Sequence, residues 1–140
     1  MTLVCDTSGL LAALDHDDPD HSACAAVLLE HPGLFVLSPL VLAELAHLVR
    51  TRLGAGAART MADDVANGAY ELAALTASDV RKAVAVDRAY VDLGVGLADA
   101  SSVVVAARHA TLEILTLDHR HFRALVPLQG GAFRLLPADR

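Results

Sequence analysis

Short apolar runs alternate with longer stretches of helical periodicity along the whole chain. Residues 2–6 (TLVCD) read as a strand, and residues 7–14 (TSGLLAAL) turn helical. The acid-rich DHDDPDH that follows reads as a solvated loop, in which Asp18 and Pro19 are expected at the N-cap and first position of a helix and Asp20 in its first turn. That helix continues through SACAAVLLEH and is closed by Pro32-Gly33. A second strand is expected at residues 34–37 (LFVL), and Ser38-Pro39 opens a helix over residues 40–52. Its apolar stripe is Val41, Leu45 and Leu48, at i, i+4 and i+7, with Glu44 among them. Residues 54–68 hold another amphipathic helix, with Gly54–Gly56 (GAG) as a turn that lacks the spacing and Lys of a phosphate loop. Residues 70–75 (YELAAL) predict a third strand. Thr76 and Asp79 form a capping box, with Asp in place of Glu, for a helix running to about Val91. Residues 97–109 are small or apolar on nearly every side, the mark of a buried helix. A strand at 112–117 (LEILTL) and a short helix in HRHFRAL complete the pattern.

This alternation implies an α/β domain with a mostly parallel sheet and helices on both faces. At 140 residues the chain is long enough for one domain with a substantial core. Hydrophobic residues make up 54% of it, yet the uninterrupted apolar runs fall far short of the ~20 residues that span a bilayer. The start, MTLVCD, carries no basic segment of a secretory signal. A cytoplasmic protein is therefore expected, its surplus apolar surface covering an interface with a partner or a second copy. Cys5 and Cys24 have no metal-type spacing and read as small buried hydrophobes. The net charge of −6 argues against nucleic-acid binding by bulk attraction but leaves room for a local basic patch.

Four acids stand where charge is costly. Asp6 and Asp118 end strands, Asp99 opens a run of Ala and Val, and Glu44 lies within an apolar stripe. Each has a local explanation: a helix cap for Asp6 and Asp118, dipole complementarity for Asp99, the edge of the stripe for Glu44. Those separate accounts do not explain why two acids fall at strand carboxyl ends and two on buried helices. In a parallel sheet the strands starting at Thr2 and Leu112 end on one edge, so the four are expected to converge. Without a cation they would repel and raise one another's pKa. An all-oxygen site suits Mg²⁺ or Mn²⁺, which can activate water and polarise a phosphoryl oxygen. No HExxH zinc spacing occurs among the seven histidines, and His119 and His121, two apart on a helix, point different ways.

The segments VCDTSGLLAAL, SPLVLAEL, GLADASSVVVAARH and ILTLDHRHF, in that order, cover nearly the whole chain. In them the chain resembles the PIN-domain ribonucleases, specifically the VapC-type toxins of bacterial toxin–antitoxin pairs. The resemblance implies a single three-layer α/β/α PIN domain over residues 1–140. It makes Asp6, Glu44, Asp99 and Asp118 the catalytic, metal-holding acids. Thr7 or Ser8 would orient Asp6 or a metal-bound water, and Thr116 would play a lesser supporting role. The implied activity is Mg²⁺- or Mn²⁺-dependent endonucleolytic cleavage of structured RNA, tRNA or rRNA. The implied partners are a small VapB-type antitoxin and a second copy in a homodimer. Two other classes compete: a non-catalytic PIN scaffold that binds RNA or protein, and an acidic-site phosphatase or phosphotransfer domain. The second lacks a DxD motif at Asp6-Thr7-Ser8. From residue 108 onward five arginines outnumber three acids. In that tail Arg120, beside Asp118, is the best candidate for a phosphate contact, with Arg123 and His119 as further RNA-binding candidates.

Overall fold

A computed structural model describes residues 1–140. Five parallel strands, β1 (Thr2–Cys5), β2 (Leu34–Leu37), β3 (Glu71–Leu72), β4 (Glu113–Leu115) and β5 (Arg134–Leu136), form one sheet in the order β3-β2-β1-β4-β5. The connections carry α1 (Thr7–Leu14), α2 (His21–Glu30), α3 (Pro39–Leu53), α4 (Ala55–Ala66), α5 (Ala77–Ala89), α6 (Gly96–Arg108) and α7 (His119–Ala124). Two apolar layers flank the sheet. One is built on Leu3, Cys5, Leu37 and Leu115 with α1 to α4; the other on Val4, Val36, Ile114 and Leu135 with α5 to α7. Alternate residues of each strand feed opposite layers, as the pleat requires. The fold is thus the expected three-layer α/β/α arrangement.

From β1 the chain builds outward to β2 and β3, then crosses to the other side of β1 for β4 and β5. The order in which strands are added therefore reverses between β1 and β4, and crevices at such a reversal, at the strands' carboxyl ends, are where open α/β sheets take their ligands. β1 pairs with β4 through Val4–Ile114 and Cys5–Leu115, and the amide of Asp6 donates to the Leu115 carbonyl at 2.9 Å. Asp6 and Asp118 leave neighbouring strands on the same edge.

Several local expectations need correction. The helix α2 begins at His21, not Pro19. The carboxylate of Asp18 instead takes the amide of Asp20 at 2.8 Å, and that of Asp15 takes Asp17 at 3.0 Å, so the acidic loop is a pair of local Asx turns. In the GAG segment only Gly54 turns, at φ 99°; Ala55 already starts α4. The third strand shrinks to Glu71 and Leu72 at the sheet's edge, because the capping box of Thr76 and Asp79 claims the chain just beyond it. β5 was not foreseen at all. It is three residues long, between the Gly130-Gly131 turn and Pro137, and only its pairing with β4 defines it. The buried stripe of α3 runs Val41, Leu45 and Val49, not Leu48, and Glu44 lies exposed beside it.

α1 lies directly against β4. A Cβ on Gly9 would stand 2.7 Å from Leu115 Cγ and 2.8 Å from the Leu115 carbonyl oxygen, and the backbone of a central strand cannot yield. Gly9→Ala should therefore lower stability by about 1–3 kcal/mol. The shift shows in the midpoint of urea unfolding. An unchanged midpoint would mean that α1 is free to ride away from the sheet.

Candidate metal centre

At the end of β1 the chain turns straight into α1, which puts Asp6 at the N-cap position, yet its side chain accepts no capping hydrogen bond. Oδ2 is occupied elsewhere: Thr116 Oγ1 donates to it at 2.8 Å and Ser8 Oγ at 3.0 Å. Each hydroxyl has one proton, and both protons go to Asp6, so the 3.2 Å approach of Ser8 to Thr116 holds no hydrogen bond of its own. As acceptors the same hydroxyls take the amides of Leu117 and Asp118, each at 2.9 Å. Ser8 and Thr116 thus stitch the start of α1 to the loop that carries Asp118. Asp6 Oδ1 is left buried with no partner. Thr7 does not share this work; its hydroxyl is also buried and unpartnered.

Asp99 sits in the first turn of α6, whose next seven residues, Ala100–Ala106, are all buried. The Asp87 carboxylate anchors the start of this helix by accepting from the Gly96 amide at 3.1 Å. Asp118 caps α7, its Oδ1 accepting from the His121 amide at 3.2 Å. Its Oδ2 lies 2.8 Å from Nδ1 of His121, and the same nitrogen lies 2.6 Å from Asp99 Oδ2. One ligand atom from each of Asp99, Asp118 and His121 lies within 4.8 Å of the others.

The electrostatics show what it costs to gather these groups. Burial pushes the Asp6 carboxyl up; the hydroxyls of Thr116 and Ser8 oppose the rise, and the charge of Asp118 adds to it. Burial, with the charge of Asp6 next in weight, pushes Asp99 up to about 7, although the His121 imidazole pulls the other way. The expected mutual repulsion is therefore present at Asp6 and Asp99, but loss of water weighs more than the neighbouring charges.

Of the four acids read from the sequence, Asp6, Asp99 and Asp118 come together. Glu44 is exposed on α3, outside the group formed with His121. The start of its helix is nonetheless tied to α6, where Ser38 Oγ lies 2.6 Å from Ser101 Oγ. His121 was missed. The available signal was its spacing: three residues after Asp118 at a helix start put it on the same face. Among the basic candidates, Arg123 is engaged by Asp139 at 2.7 Å, while Arg120 and His119 are exposed.

A buried, unpartnered carboxylate oxygen beside two further carboxylates and an imidazole fits a divalent cation. Direct ligation would satisfy the orphan oxygen and offset the burial of charge.

The family model for the PIN domain matches residues 3–126. Ribonuclease VapC26 of Mycobacterium tuberculosis (strain ATCC 25618 / H37Rv) is 43% identical over 135 residues, which are 96% of this chain and 100% of that protein. Among solved structures, M. tuberculosis VapC20, a sarcin–ricin loop cleaving toxin, superposes with a TM-score of 0.80 at 20% identity, covering 90% of this chain and 98% of that one. VapBC2 from Rickettsia felis, bound to a DNA fragment from their promoter, gives a TM-score of 0.64 at 16% identity, covering 96% of this chain and 97% of that one. At those identities the two structures speak for the fold alone.

Proposed function

The chain belongs to the PIN-domain family, among the VapC ribonucleases, and on that premise we propose that it is an endoribonuclease toxin that cleaves structured RNA with Mg²⁺ or Mn²⁺. The observation that carries the metal is the buried Oδ1 of Asp6, left without a partner beside Asp99 and Asp118. Asp6, Asp99 and Asp118 would hold the cation, and Glu44, exposed on α3 outside that group, is kept as a fourth acid of the site. When bound, the cation polarises a phosphoryl oxygen and makes a water more acidic. The remaining work belongs to the protein. Ser8 and Thr116 fix Asp6 through Oδ2 and leave Oδ1 free. Thr7, whose buried hydroxyl has no hydrogen-bond partner, is kept as a lesser contributor to water placement. Membership in this family removes the phosphotransfer alternative.

The substrate class is structured tRNA or rRNA, and the site of action is the cytoplasm. The test is cleavage of total RNA by the purified chain, freed of antitoxin, with Mn²⁺, with Mg²⁺ and with EDTA. Mapping new 5′ ends after brief induction in cells then names the RNA. Equal cleavage in EDTA would overturn the metal, and no new 5′ ends would overturn the activity.

For the RNA itself we place the phosphate contact at Arg120, whose guanidinium makes no ion pair, with His119 beside it and Arg123 in a lesser role. Arg120→Ala should weaken RNA binding and reduce the slope of log K against log salt by about 1. Arg123→Ala, which loses a guanidinium already held by Asp139, should change that slope less. Equal effects from the two would remove Arg120 from its assigned place.

The partners are a VapB-type antitoxin and a second copy of the chain. An antitoxin arginine or lysine entering the acidic site would satisfy the same carboxylates as the cation. Sedimentation should find a dimer of the free protein, and added antitoxin should weaken Mn²⁺ binding. Unaltered metal affinity in the complex would point to inhibition by another route.

A further inference from the structure

The position of His121 carries a consequence for which metal the site takes. Its Nδ1 lies 2.6 Å from Asp99 Oδ2 and 2.8 Å from Asp118 Oδ2. A ring nitrogen bears at most one proton, so it can donate one good hydrogen bond. Here it is pressed between oxygens of two different residues, and a single proton serves both poorly. Both distances are also close to the spacing of neighbouring atoms in a coordination shell. Ligand atoms bound at about 2.1 Å and at right angles stand about 3 Å apart. A small opening of the triangle would let all three face one ion. The neighbouring Asp6 Oδ1, buried and unpartnered, independently points to something positive at this place.

We propose that His121 is itself a metal ligand, and that Asp99, Asp118 and His121 form a mixed oxygen–nitrogen set selecting a first-row transition ion over Mg²⁺. This rests on the reading of the acidic cluster as a metal site and adds the ligand that decides among metals. Mg²⁺ binds oxygen, keeps most of its own water and demands near-ideal octahedral geometry. Imidazole nitrogen is a poor ligand for it and a good one for first-row transition ions. The helical spacing that aims His121 at Asp118 thus shifts an otherwise hard site toward softer ions. Zn²⁺ in a structural role is disfavoured, because two of the three ligands are carboxylates and the site remains open to solvent on the Asp118 side, where the side chain is 32% exposed.

The test uses the full chain with Mn²⁺ and Mg²⁺ alone, without RNA. Protein labelled with ¹⁵N only in histidine, loaded with Mn²⁺, should show a ¹⁵N hyperfine coupling in pulsed electron paramagnetic resonance. The coupling should vanish in His121→Asp, which replaces the nitrogen by an oxygen ligand. In the same variant the ratio of Mg²⁺ to Mn²⁺ dissociation constants should fall by roughly tenfold or more. A purely structural histidine would weaken both ions alike and leave the ratio unmoved. His121→Asn serves the same comparison should the added acid in His121→Asp prevent folding. Mn²⁺ that binds without nitrogen coupling, or with a coupling that survives either variant, overturns the ligand role while the acidic metal site stands. Mn²⁺ that binds the parent no better than Asp99→Asn overturns both.

Discussion

Asp99→Asn protein, freed of antitoxin and given saturating Mn²⁺, should cleave RNA at least about 100-fold more slowly than the parent. Loss of a group that merely orients a metal ligand costs about 10–100-fold, so loss of a ligand's charge should reach or exceed the upper end. The amide keeps the shape of the side chain and its contact with His121, and removes only the charge that a hard cation needs. The side chain is almost surrounded by protein, and α6 holds it in place through the buried run that follows. Initial rates on a defined structured RNA, across a Mn²⁺ titration, make the comparison. Recovery of the parental rate at high Mn²⁺ would mean that Asp99 tunes affinity only; undiminished cleavage throughout would remove it from the site.

The same substitution should make the metal-free protein more stable, and the gain should depend on pH. In the folded chain Asp99 is pushed up to about 7, chiefly by burial. In the unfolded chain its pKa is about 3.9. Between those values the folded state holds a proton that the unfolded state has released, so unfolding releases a proton and stability falls as pH rises. Below about 4 both states are protonated and the residue has no effect of this kind. Above about 7 the loss is complete, on the order of a few kcal/mol. Asn has no proton to lose. In EDTA, the melting temperatures of parent and variant should therefore diverge from pH 4 to pH 7, the variant melting higher. Mn²⁺ should then restore the parent: an ion at 100 times its dissociation constant adds about 2.7 kcal/mol. A variant that melts below the parent at pH 7.5 in EDTA would show that His121 stabilises the charged carboxylate by more than its burial costs.

Most helices were legible because their signals are local. α1 and β2 fall on the expected residues, and the capping box of Thr76 and Asp79 starts α5 as read. β5 was not legible, because a three-residue parallel strand exists only through its distant partner β4. The convergence of Asp6 and Asp118 followed from the rule for parallel sheets, and the strand order confirms their shared edge. What periodicity could not decide was direction. Glu44 has helical neighbours in the core and still faces water, since a residue beside a buried stripe can turn either way. Nor could sequence separate a capping Asp from a site Asp. The two differ in the structure: Asp118 caps its helix, and Asp6 does not. His121 escaped because it was compared with His119, two residues away, when its relevant neighbour was Asp118, one helical turn back.

The hydroxyl bridge from Ser8 and Thr116 to Asp6 also sets when the protein becomes dangerous to the cell that makes it. The contact of Thr116 with Asp6 spans 110 residues of sequence. Synthesis delivers the amino-terminal part first, at about 5–20 residues per second. A nascent chain can pair β1 with β2 early, but Asp6 stays unfixed and Asp118 is missing until β4 has docked beside β1. Toxicity is thereby postponed to the last part of translation, and fragments ending before Thr116 should be tolerated on induction at levels where the full chain arrests growth.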